Sequence, residues 1–492
     1  MLKKHGERET HALVFNSGPA MPSRPTDPAL LSATELVALY RGRKLSPVEA
    51  TTATLARIER FNASVNAYCH LDADGALAAA KESEARWIAG TPKGLVDGVP
   101  VGVKDNILVE GMPARFGSRL TPATPHKADA PAVARLKEQG AVMLGKTAMP
   151  EYGWKATSDS PLTGLTRNPW DTRMTTGGSS AGAVAACILG MGALHLGTDG
   201  GGSIRIPAAF TGCYGLKPTR ARVPAFPTSP LGTLAHHGPL TRTVADAALA
   251  MTVIAAPDAR DVYGWISPAP DFRTGLDDGV RGLRIAYSPK LGFAKRVHAE
   301  VASAVATAAR TFQDLGATVE ETDPGIGDPI DTWNTLWWSS MAFQLAPFAE
   351  RAKELGDPGL VAGAARGGTI PATELIRAQL ARTELHNAFV KFHERFDLLL
   401  TPALPLPAFE VGDLVPASGE WGSAWTDWAP FSYPFNLTQQ PAATVPCGVT
   451  SAGLPVALQI VGPIGGDALV LRASRAFEAA QPFPTLDAPR QR

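Results

Sequence analysis

From about residue 30 onward the chain alternates short apolar runs with longer stretches of helical period. Two helix starts come first. Ser32-x-x-Glu35 and Ser46-Pro47-x-Glu49 both have capping-box spacing, the second with proline in the first turn. The helix after Ser46 places Leu55, Ile58 and Phe61 on one face, and an alanine-rich helix is predicted near Gly75 to Ala89. A strand over 100–104, a helix from Ala130 to Gln139 and a strand over Ala141 to Leu144 follow. Farther on, strands are predicted at Leu283 to Tyr287, Ala317 to Glu321, Phe396 to Pro402, Ala442 to Pro446 and Val456 to Val461. Helices are expected from Val297 to Leu315 and from Asp467 to Ala480. Such alternation predicts an α/β fold, an α/β/α sandwich around a large, mostly parallel mixed β-sheet. Residues 1–28, polar and proline-bearing, are expected to be a flexible N-terminal tail, and 29–485 a single domain with a helical region at about 330–395.

The 492 residues are 45% hydrophobic, enough for a large core. Lys plus Arg and Asp plus Glu both number 46, a balance that argues against nucleic acid or an anionic membrane as partner. Cys69, Cys187, Cys213 and Cys447 form no C-x-x-C pair and read as buried thiols of a reducing, cytoplasmic protein. Met1 to Ala20 contains no apolar core of a secretory leader. The uncharged run over 181–198 holds four glycines and His195, which argues for core helix plus strand rather than a membrane span. No metal-ligand spacing, nucleotide loop or flavin fingerprint is present, so neither cofactor nor metal is expected.

Glycine and serine concentrate between Thr176 and Thr219. T-G-G-S-S-A-G over 176–182 leads into an apolar segment, Ala183 to Met191, that suits a short buried helix, then a strand-like Ala193 to Leu196. G-T-D-G-G-G-S-I-R-I-P follows over 197–207, with Arg205 and Pro207 opening the next helix. Gly200, Gly201 and Gly202 lack Cβ atoms, so their N–H groups, with that of Ser203, can converge on an anion. That is how an oxyanion hole is built, and Ser203 directly after it is a candidate nucleophile. Asp199 beside the turn can brace its backbone donors. Upstream, the strand Val99 to Val103 ends in Lys104. Burial there disfavours the ammonium form, and a neutral lysine can take a serine's proton.

These residues resemble the amidase signature family of serine hydrolases. The family spaces a lysine, a serine held by a cis peptide and a nucleophilic serine as Lys104, Ser179 and Ser203 are spaced here, 75 and 24 residues apart. The resemblance spans roughly residues 30 to 480 and includes Gly145-Lys146-Thr147, Asn168-Pro169-Trp170, Gly238 to Asp246, Asn436-Leu437-Thr438 and Gly453 to Gln459. It implies Ser203 as nucleophile, Ser179 as proton relay, Lys104 as base, an amidase signature domain over 29–485, a small-molecule amide as substrate, and allows a homodimer. Gly200 departs from the family, which often has Thr or Ile there.

Thr332 to Phe348 and Glu420 to Phe435 match the family poorly and hold six of the ten tryptophans. They are expected either to pack the helical region onto the sheet or to line a pocket for an aryl or alkyl group. The pocket candidates are Trp154, Trp337, Trp338, Trp425 and Trp428. His236 and His237 are expected to be loop or rim groups.

The favoured expectation is an amidase that hydrolyses a carboxylic amide through a Ser203 acyl-enzyme. The same residues would serve an esterase or carbamate hydrolase, or the glutamine-hydrolysing subunit of a tRNA-dependent amidotransferase. Gly178 to Gly182 also fits the G-x-S-x-G elbow of α/β-hydrolases, but Asp171 to Thr176 is a poor strand for it. A non-enzymatic binding module would not need all three catalytic positions.

Overall fold

Local signals set the helix ends. In the computed structural model, which describes residues 27–491, Ser32 and Ser46 accept from the backbone N–H groups of Glu35 and Glu49, whose carboxylates accept in return from the two serine N–H groups. The expected tail therefore lies, but for its last two positions, outside the described residues.

Among the described residues eleven strands form one sheet. In chain order they are β1 (Tyr68–Leu71), β2 (Pro100–Lys104), β3 (Val142–Thr147), β4 (Leu194–Asp199), β5 (Tyr214–Lys217), β6 (His236–Thr241), β7 (Arg284–Tyr287), β8 (Thr318–Glu321), β9 (Leu398–Pro402), β10 (Ala442–Val449) and β11 (Pro455–Val461). Across the sheet the order is β1-β3-β2-β4-β6-β5-β10-β11-β9-β7-β8. Parallel pairing joins β3, β2 and β4 on one flank and β9, β7 and β8 on the other. The strands between are antiparallel, as is β1 at its edge, so the mixed sheet carries its parallel character on its flanks.

Alternation along the strands sends side chains to two apolar layers. Val101, Val103, Leu194, Leu196, Leu398 and Leu400 pack with helices Val244–Ile254, Ala299–Asp314 and Asp467–Ala480 on one face. Val142, Leu144 and Leu240 pack with helices Ala181–Ile188, Arg205–Thr211 and Ile330–Leu345 on the other. The result is the α/β/α sandwich. Residues 330–395 are largely helical, with the long helix Ala372–Arg395 closing that stretch.

Two local expectations change. Asp171–Thr175 is a strand despite its polarity, because it pairs with Arg167–Asn168 in a small ribbon outside the large sheet. His236 and His237 lie on β6, a central strand, rather than on a loop or rim. Gly238 and Pro239 within β6 masked it, proline being unusual inside a sheet.

Candidate active site

β2 carries Lys104 to the end of the sheet, where its side chain is completely buried. The parallel neighbour β4 ends alongside and supplies Thr198. The Lys104 amine lies 2.7 Å from Ser179 Oγ, 2.9 Å from Thr198 Oγ1 and 3.3 Å from the Thr198 carbonyl oxygen. Burial pushes the amine down to about 7, with Asp199 opposing the shift. Asn106 Nδ2 donates to the same Thr198 hydroxyl at 3.1 Å.

Ser179 follows a cis Gly178–Ser179 peptide on the loop before helix Ala181–Ile188. A Cβ at Gly178 would fall 2.2 Å from the Thr157 carbonyl oxygen, so only glycine fits there. Ser203 lies on the turn after β4, and its carbonyl accepts from the Ser180 N–H at 3.1 Å. Ser179 and Ser203 line one cavity of about 320 Å³.

Asp199 organises the Ser203 turn. Its carboxylate accepts from the Gly202 N–H at 2.7 Å and the Ile204 N–H at 3.2 Å, and pairs with Arg205 Nε at 3.0 Å and Nη2 at 3.1 Å. Burial pulls this carboxyl upward, but the Arg205 guanidinium outweighs it and holds Asp199 well below the usual range. Arg205 is satisfied in turn by Ser432 O, Gln459 Oε1 and Asn436 Oδ1. One expectation is thereby corrected: the Gly202 N–H, placed among the oxyanion donors, is taken up by Asp199. Among the described residues the amides of Gly200, Gly201 and Ser203 form no hydrogen bond to the protein.

The cavity wall is mainly apolar, with Ile107, Leu108, Phe116, Phe226, Leu231 and Trp337. His237 also lines it, neutral because burial pushes it down to about 4. Of the five candidate tryptophans only Trp337 is on this wall. Trp154, Trp338 and Trp425 line a separate cavity, and Trp428 is a core residue packed on Phe210 and Phe409, donating its N–H to Leu414 O. The sequence reading overlooked Thr198, although it stands next to Asp199 in a strand parallel to β2. It also overlooked the roof from Phe226 to Leu231, which has no period or motif to mark it. No group of three or more His, Cys, Asp and Glu among the described residues is arranged to hold a metal ion.

The amidase family model matches residues 49–471. The chain is 38% identical to a glutamyl-tRNA(Gln) amidotransferase subunit of Myxococcus xanthus, over 93% of this chain and 99% of that one. It is 35% identical to the acylamidase of Rhodococcus erythropolis, over 92% and 96%. Among solved structures, a bacterial aryl acylamidase superposes with a TM-score of 0.84 at 32% identity, over 92% of this chain and 96% of that one. A 6-aminohexanoate cyclic dimer hydrolase superposes with the same score of 0.84 at 26% identity, over 92% and 98%. Joined to the arrangement around Lys104, Ser179 and Ser203, these likenesses establish that the chain belongs to the amidase signature family, whose hydrolases act on C–N bonds.

Proposed function

We propose that the protein hydrolyses amides of aryl or other apolar groups, with Ser203 as nucleophile, Ser179 as proton relay and Lys104 as base. The observation that carries this reading is the buried Lys104 amine, 2.7 Å from Ser179 Oγ and near neutrality in its proton affinity. An uncharged amine has two N–H groups and one lone pair. Thr198 Oγ1 and O accept the two hydrogens, which leaves the lone pair for the Ser179 hydroxyl. Ser179 can then take the proton of Ser203 as Ser203 Oγ bonds to the amide carbon. The carbonyl oxygen becomes an oxyanion at the amides of Gly200, Gly201 and Ser203. Collapse breaks the C–N bond, and the amine leaves with the proton returned through Ser179. Water then adds to the acyl-enzyme by the same route and releases the acid.

The apolar wall favours an aryl or alkyl group next to the scissile bond. Glutamine is the second reading, motivated by the likeness to the amidotransferase protein. It fits the cavity less well, since a free α-carboxylate and ammonium need charged partners. Among the described residues no lysine or arginine lines the cavity, and its one carboxylate, Asp199, is committed to Arg205. Ester and carbamate hydrolysis pass through the same oxyanion and belong to the same reading. The unpaired thiols of Cys187, Cys213 and Cys447 suit a reducing, cytoplasmic setting.

The test is labelling with a fluorophosphonate, followed by peptide mapping and assays of anilides beside glutamine. The adduct is expected on Ser203, Ser203→Ala is expected to abolish both label and turnover, and anilides are expected to outpace glutamine. An adduct on a different serine would overturn the assignment.

A further inference from the structure

Helix Pro358–Gly367 has Gly359, Gly363 and Gly367 one turn apart, and two indoles lie against it. A Cβ at Gly359 would fall 2.4 Å from Trp154 Cη2, and one at Gly363 only 1.9 Å from Trp338 Cζ3. Trp154 and Trp338, with Trp333 and Trp425, wall a cavity of about 450 Å³ that shares no lining residue with the cavity at Ser203.

Its polar lining consists of Asn334, Ser423, Thr426 and Arg366. Among the described residues Arg366 is its only charged lining residue; it is exposed to solvent, stands 5.4 Å from the Trp338 ring centroid and makes no ion pair. Trp154 is 5% exposed, and its buried indole N–H has no hydrogen-bond partner. The neighbouring Lys155, 5.3 Å over the Trp154 ring, differs, because Asp159 at 2.6 Å and Asp357 at 2.8 Å neutralise it. Aromatic faces call for a flat apolar body, while an exposed guanidinium at their edge with no ion pair suits an anion that accepts hydrogen bonds.

We propose that this cavity is a second binding site, for an arylcarboxylate. The ligand ring packs among the indoles and the carboxylate pairs with Arg366. The site abuts the catalytic turn through one indole pair. Trp333 on its wall stacks on Trp337 of the other cavity at 4.5 Å and donates to the Gly200 carbonyl at 3.2 Å.

Benzoate is the probe, titrated calorimetrically into the full chain before and after phosphonylation, with benzyl alcohol as the uncharged control. One benzoate is expected to bind per chain whether or not the catalytic serine is blocked, and benzyl alcohol far more weakly. Arg366→Gln should weaken benzoate by about tenfold or more, the range for losing a charged hydrogen bond. The same variant should hydrolyse amides at the native rate. Absence of saturable binding, unchanged affinity in Arg366→Gln, or loss of the site on phosphonylation would each overturn the proposal. Failure of the Ser203 reading shows separately, as a missing adduct, and the Arg366→Gln comparison on untreated protein then decides alone.

Discussion

A lysine that serves as base only when uncharged fixes the sign of the pH dependence. Burial pushes the Lys104 amine down to about 7, so below that pH most molecules carry the ammonium and cannot accept the Ser179 proton. The value of kcat/KM is expected to rise about tenfold per pH unit up to that point and level off above it. Thr198 modulates the midpoint, because its hydroxyl accepts from the amine at 2.9 Å and favours the charged form. Thr198→Val should therefore move the rising limb to lower pH. Lys104→Arg, charged throughout, should remove the limb and nearly all of the rate. A profile flat between pH 5 and 9 in the native enzyme would rule out this base. The lysine was recognisable as the last residue of an apolar strand. Its threonine partner was not, since a lateral neighbour is set by strand order and not by sequence distance.

At the scale of elements, the Ser203 turn is shaped by the helix packed behind it. A Cβ on Gly201 would fall 2.7 Å from Trp333 Cζ2, on helix Ile330–Leu345. Gly201→Ala is thus expected to displace a proposed oxyanion donor and lower kcat by about a hundredfold, with KM little changed, in steady-state assays. Trp337 on the same helix faces the cavity at Ser203, so Trp337→Ala should reduce rates for anilides relative to short aliphatic amides. Trp425→Ala should leave that ratio alone, its ring lying on the other cavity. The aromatic enrichment of this stretch was legible, but its partition was not. Trp337 and Trp338 are adjacent in sequence, yet helical geometry turns them about 100° apart, toward different cavities. Capping boxes, by contrast, were read correctly at both early helices, because every atom involved lies within four residues. β6 was missed for the opposite reason: its identity rests on pairing with β4 and β5, and its own residues argue against it.

The whole molecule has a seam. Strands drawn from residues 68–241 fill one half of the sheet and strands from 284–461 the other, and the two halves meet where β5 pairs with β10. The Asp199–Arg205 pair belongs to the first half, while Ser432, Asn436 and Gln459, which complete the guanidinium's hydrogen bonds, come from the second. A buried ion pair is tolerable only when every donor is met, so this network ties the two halves together beside the β5–β10 pairing. Gln459 is the member farthest from chemistry. It accepts from Arg205 at 2.8 Å and donates to Thr401 Oγ1 at 3.1 Å and Phe431 O at 2.8 Å. Gln459→Leu removes all three bonds and leaves buried partners unmet, an expected loss of about 1 to 3 kcal/mol. In urea titrations, tryptophan fluorescence and residual activity should lose their native values at one midpoint in the native enzyme, and both should shift together in the variant. Activity that vanished at a lower urea concentration than the fluorescence change would mean that the turn carrying Ser203 is released before the halves part, and that the network does not join them.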